Sequence, residues 1–166
     1  MLSLGTILHP TDFSEHSESA FQLACALAWD YNARLVLLHV APVPMVVYAG
    51  GAMPTDPWPS IEEAKAKLRD LEGQAQGVRV ESQVMEGDPV DMILWAAKET
   101  HSDMIVMGTH GRTAMARLLL GSVAESVLRK APCPVLTAKP APERKKAVEE
   151  SEAKAEAGVA VGVHAE

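Results

Sequence analysis

The apolar positions of this chain change period as it runs, from the continuity or alternation of strands to the spacing of three and four that marks one face of a helix. Leu4 to His9 is short, mainly apolar and stopped by Pro10, which has no N–H to give a ladder, so it reads as a first strand ending in a loop. After Thr11, Asp12 and Phe13, Ser14 can cap a helix whose Ala20, Ala24, Leu27 and Tyr31 fall on one face. Arg34 to Val40 is almost continuously apolar, the pattern of a strand covered on both sides. The stretch 41–59 is dense in proline and glycine, which predicts a long loop of the lid or disordered type.

Ser60 to Glu63 spells a capping box, and Ala64, Leu68, Leu71 and Ala75 supply the buried face of the helix it opens. Val78 to Met85 sets valines against Arg79, Glu81 and Gln83, which suits an edge strand with one wet face, ended by Gly87. Asp88 then caps a helix with Pro89 at its first position and Val90, Ile93, Leu94 and Ala97 facing inward. Asp103 to Gly108 reads as a buried strand, Ser122 to Lys130 as a fourth helix and Val135 to Ala138 as a last short strand. Strands alternating with helices predict an α/β fold, a doubly wound five-stranded parallel sheet in the order 3-2-1-4-5 with helices on both faces. The order reverses between the first and fourth strands, and ligands of such sheets sit in that crevice at the carboxyl ends. One domain covers residues 1–139; from Pro140 the composition turns to Ala, Glu and Lys, so 140–166 reads as a disordered tail.

Aromatics make up 4% of the chain, so its core must be built from Ala, Val, Leu, Ile and Met, and the methionines read as core filler. A net charge of −7 without clusters of Lys and Arg in the first 140 residues argues against nucleic acid as a partner. No apolar run approaches the roughly 20 residues of a membrane span, and Met1 to Pro10 lacks the layout of a signal peptide, which predicts a cytoplasmic protein. Cys25 and Cys133 have neither redox-pair nor zinc spacing and read as incidental thiols.

Candidate chemistry concentrates in Gly108-Thr109-His110-Gly111-Arg112 and Gly121-Ser122-Val123. Two glycines three apart permit positive φ and an inward-facing nest of amides, while Gly121-Ser122 opens a helix whose first N–H groups are unpaired; both features attract phosphate. Hydrogen bonds to charged groups contribute roughly 1.5–3 kcal/mol each, so three or four suffice for micromolar binding at about 8 kcal/mol after ordering costs. A lone glycine pair more often merely ends a strand and starts a helix, and it is the spacing that turns the reading toward phosphate. Asp12 at the first strand's end is either a loop acceptor or a ligand group. His9, His39 and His110 lie on different strands without paired-ligand spacing, which predicts hydrogen-bonded structural histidines and no structural metal. Trp58, in the proline loop, could shield a ligand or pack on the sheet. The GxxxxGK[ST] and GxGxxG motifs are absent, and no side chain stands out as a general base.

The pattern Gly108-x2-Gly111-x9-Gly121-Ser122 resembles the nucleotide-binding signature of the universal stress protein family, in its ATP-binding branch. The resemblance extends to Leu8-His9-Pro10-Thr11-Asp12-Phe13-Ser14, Leu37-Leu38-His39-Val40, Gly87-Asp88-Pro89 and Ala131-Pro132-Cys133-Pro134-Val135, and so to almost the whole predicted domain. It implies a Rossmann-like, adenine nucleotide alpha-hydrolase-like sheet. It further implies that Asp12 contacts ribose or a phosphate-bound Mg²⁺, that Val40 offers main-chain groups to adenine, and that Pro10 and Thr11 shape the same wall. Gly108, Gly111, Arg112, Gly121, Ser122, Val123 and Ala124 would surround the ribose and phosphates of ATP, or of ADP or AMP. Ala124 stands where related sequences often carry threonine, which removes one hydroxyl contact.

What the resemblance implies is an ATP-binding regulatory or stress-response module whose nucleotide alters its dimer surface or its affinity for an unidentified protein partner, with at most slow hydrolysis. The competing expectation is a dimeric scaffold with a vestigial pocket, pairing through Val135 to Ala138; glycines that leave the phosphate position clear count against it. A flavin fold is the weakest of the three, since the phosphate signature does not call for one.

Overall fold

The computed structural model describes residues 4–43, 59–110 and 120–140. Within them the chain runs β1 (Thr6–Pro10), α1 (Glu15–Tyr31), β2 (Arg34–Ala41), α2 (Ile61–Gln74), β3 (Arg79–Glu86), α3 (Pro89–Glu99), β4 (Met104–Gly108), α4 (Ser122–Lys130) and β5 (Val135–Ala138). All neighbouring strands are parallel and the sheet order is β3-β2-β1-β4-β5, as the alternation of elements predicts. Most of the proline-rich stretch 41–59, Trp58 included, and the tail from residue 141 lie outside the described residues.

Helix starts follow local chemistry. The Ser14 hydroxyl accepts from the Ser17 N–H at the head of α1, Ser60 and Glu63 complete a reciprocal capping box on α2, and the Asp88 carboxylate accepts from Val90 and Asp91 above Pro89. Asn32, in the left-handed region at φ 51, ends α1 by returning its N–H to the Ala28 and Trp29 carbonyls.

Alternation along the strands then divides the core. Ile7, Leu35, Leu37 and Val106 face α1 and α2, whereas Leu8, Val36, Leu38, Ile105 and Met107 face α3 and α4. The buried face of α1 is Ser17, Ala20, Phe21, Ala24 and Ala28; Leu27 is half-buried and Tyr31, expected inward, is 44% exposed. Phe21 and the buried alanines set which face of α1 meets the sheet, and Tyr31 falls off that face. Small residues dominate the buried helix faces, including Ala96 beside Ile93 and Ala97 on α3, while Val90 and Leu94 are half-buried. No helix among the described residues is long and apolar enough to cross a membrane.

Candidate functional site

β1 and β4 stay paired for two residues, Ile7 with Met104 and Leu8 with Ile105, and then separate. β1 follows β2 as far as Pro10 opposite Leu38 and adds a bond from the Thr11 N–H to the Leu38 carbonyl at 2.8 Å. β4 follows β5 through Gly108 opposite Ala138, with the Thr109 N–H on the Ala138 carbonyl at 3.0 Å. A crevice therefore opens at the carboxyl edge where the strand order reverses. His9 spans the parting: its Nδ1 donates to the Val106 carbonyl at 2.8 Å, a side chain crossing to β4.

On the β1 wall, Pro10 and Thr11 are buried and Asp12 is half-buried. Asp12 Oδ1 accepts from the Ser14 N–H at 3.0 Å and from the Ser14 hydroxyl at 2.6 Å, while Thr11 Oγ1 accepts from the Phe13 N–H at 3.1 Å and the Ser17 hydroxyl at 2.8 Å. The carboxylate thus serves the turn and stands at the crevice, so the two roles open to it in the sequence do not compete. Phe13 closes the turn in the left-handed region at φ 62, a conformation that bulky residues rarely hold.

Val40 sits one step beyond β1. The Leu38 carbonyl points toward β1, and main-chain groups two residues apart on a strand point the same way, so those of Val40 face the crevice past the last β1 bond. On the other wall the Gly121 N–H donates to the Thr109 carbonyl at 2.7 Å, and the first helical bond of α4 runs from the Glu125 N–H to the Gly121 carbonyl. No side chain caps α4, so the amides of Ser122, Val123 and Ala124 are left without an intrahelical or side-chain cap partner. Gly111 and Arg112 lie outside the described residues.

Two details correct the expectation from glycine spacing. Gly108 does not use a positive φ; a Cβ there would lie 2.9 Å from the His16 carbonyl group, so its bareness serves the close approach of α1. The Gly121 amide is not bare either, since it secures Thr109. The amides that α4 leaves without an intrahelical partner begin at the next residue, Ser122.

Burial of His9 lowers its pKa to about 4, against smaller upward effects of the bond to Val106 and the charge of Asp12. Its Nε2 is fully buried and makes no hydrogen bond among the described residues, so the expected structural histidine is hydrogen-bonded at one nitrogen. His39 is equally buried and donates from Nδ1 to the Thr11 carbonyl at 2.8 Å. At the lip, the buried Thr109 hydroxyl lies 3.3 Å from His16 Nδ1 and 3.2 Å from His110 Nδ1. His16 carries no sequence signal for this placement, and Phe13 and Thr109 stand in the sequence only as members of longer motifs, because the partners come together only on folding. A cleft of about 260 Å³ beside α1 and α2 is lined by Thr11, Phe13, Glu18, Lys67 and Asp70 among others, so it shares Thr11 and Phe13 with the Asp12 turn.

No cluster of three or more His, Cys, Asp or Glu able to hold a metal ion occurs among the described residues. Both cysteines are half-buried free thiols; burial, aided by Glu18, pushes Cys25 up to about 11, and burial with Asp103 raises Cys133, so each shift disfavours the thiolate.

Residues 4–139 match the model of the universal stress protein family. Universal stress protein MJ0531 of Methanocaldococcus jannaschii is 36% identical over 140 residues, covering 80% of this chain and 81% of its own. The solved structure of the hypothetical protein MJ0577 superimposes with a TM-score of 0.70 at 28% identity, covering 86% of this chain and all of that one. A universal stress protein solved in complex with cAMP superimposes at 0.63 and 26% identity, over 84% of this chain and 100% of its own. With matching sequence from β1 to β5 on the same sheet order, this chain belongs to the universal stress protein family.

Proposed function

We infer that the crevice binds an adenine nucleotide and that the protein acts as a nucleotide-dependent regulatory module rather than a fast enzyme. The observation that carries this reading is the convergence of two uncommitted sets of main-chain groups across one gap, the α4 amides of Ser122 to Ala124 and the Val40 backbone beyond β1. The first suits phosphate and the second the hydrogen-bonding edge of a base. A relative of similar fold solved with cAMP supports the ligand class. Among adenine nucleotides we favour ATP: Gly111 and Arg112 continue the signature toward the phosphates, and the Asp12 carboxylate is suited to ribose or to Mg²⁺ carried by a triphosphate. A family-type homodimer through β5, in the cytoplasm, completes the proposal.

Gly121→Val tests it. Gly121 sits at φ −71 and ψ 153, which valine adopts without strain, and its N–H can still reach Thr109. ATP at about a hundred times its dissociation constant should raise the wild-type melting temperature by roughly 5–10 °C. The variant should fold normally and lose that rise, because the new methyls stand beside the amides meant for phosphate. A wild type indifferent to every adenine nucleotide, or a variant that responds unchanged, overturns the assignment.

A further inference from the structure

We propose that His39 is a positioning residue of this crevice, holding the Thr11–Phe13 turn so that Asp12 presents its carboxylate to the ligand; this rests on the adenine-nucleotide reading above. His39 is fully buried and grips the turn on both sides of Asp12. Its Nδ1 donates to the Thr11 carbonyl at 2.8 Å, and its ring stacks on Phe13 at 4.6 Å between centroids and 29° between planes. Phe13 is the residue that holds φ at 62, so the stack bears on the strained point of the turn.

The same contact ends the ladder. In the parallel register of β1 and β2, the bond after Thr11 N–H to Leu38 carbonyl would run from the Val40 N–H to the Thr11 carbonyl. That bond is not made, and the Thr11 carbonyl instead receives His39. One side chain thereby sets the Asp12 turn and separates β1 from Val40. Imidazole is suited to both tasks, having a flat face for Phe13 and an N–H in its edge for the carbonyl. Phenylalanine would keep the face alone, and asparagine would keep a donor close to the Nδ1 position.

Titration calorimetry of the full-length protein with Mg²⁺-ATP, on His39→Phe and His39→Asn with and without Asp12→Ala, tests the proposal. His39→Phe should weaken binding about tenfold, comparable to the loss of one charge-assisted hydrogen bond. His39→Asn should recover a large part of it. In the Asp12→Ala background the same change should cost about threefold or less, since a residue acting through Asp12 has little left to act on. Equal losses in both backgrounds, or unaltered binding, would overturn the assignment.

A ligand-free measurement decides the matter if no variant binds nucleotide. Amide exchange at Phe13 and Ser14, whose N–H groups bond to Thr11 Oγ1 and Asp12 Oδ1, should accelerate at least tenfold in His39→Phe and stay near wild type in His39→Asn. Unchanged exchange in both would show that the turn holds without His39. Failure of wild type to bind ATP, with accelerated exchange, would sink the nucleotide reading and leave the positioning role intact.

Discussion

His9 is kept neutral by the same burial that places it at the parting of β1 and β4, with a pKa near 4 against 6.5 for the free side chain. A histidine depressed on folding contributes stability that is fully present above its unfolded pKa and is lost as the pH falls toward the folded one. The window is therefore pH 6.5 down to about 4, and the difference across it corresponds to about 3 kcal/mol. Urea melts of the wild type and His9→Asn should converge as the pH drops from 7 to 4.5, the wild type losing more because the variant has no imidazole to protonate. Parallel losses would show that His9 does not titrate in this range. Nothing in the sequence marked this behaviour. The Leu8-His9-Pro10 run located the residue on a strand, but its partner Val106 lies 97 positions away. For Asp12, by contrast, both the turn and its place at the reversal were legible, because Ser14 lies two residues on and the strand that delivers it ends at a proline.

Helix starts were the most readable elements, since a cap and its first turn are neighbours in sequence: Ser14, Ser60 and Asp88 all cap where the spacing placed them. Helix faces were less so. Tyr31 fits the periodicity of α1 yet projects into solvent, because Phe21 and the alanines determine how the helix lies on the sheet. The Gly108 position shows the same dependence. Its place in a glycine signature pointed to phosphate, whereas its Cβ space is occupied by the first turn of α1, with the Ser17 N–H nitrogen at 3.1 Å and the His16 carbonyl group at 2.9 Å. Those neighbours are backbone and cannot rotate away. Gly108→Ala should therefore destabilise the fold by about 2 kcal/mol, read as a lower urea midpoint at constant slope. Nucleotide-free protein should show the full effect, and a midpoint within error of wild type would mean that α1 shifts freely on β4.

For the molecule as a whole, alternation of strands and helices together with the handedness of crossovers made a doubly wound parallel sheet legible; the preferred order among such sheets is the one observed, and that order locates the crevice. It also left two edges of different character. β3 carries Arg79, Glu81 and Glu86 along an exposed strand, a charged edge that resists pairing with another chain. β5 is short, and Leu136 on it is 36% exposed. The Pro134 and Ala138 carbonyls accept from β4, so by alternation the N–H and C=O groups of Val135 and Thr137 point outward from the sheet. An outward row of this kind can pair with its own copy about a two-fold axis, which gives the proposed dimer a physical basis independent of the nucleotide. Thr137→Pro removes an outward donor without touching the bonds to β4, and proline is tolerated on an edge strand. Light scattering should find the wild type at twice the monomer mass and the variant at the monomer mass, with unchanged circular dichroism. A variant that stays dimeric would place the contact elsewhere on the surface, and a wild type that is monomeric at micromolar concentration would remove the β5 edge from the functional proposal while leaving the crevice and its ligand untouched.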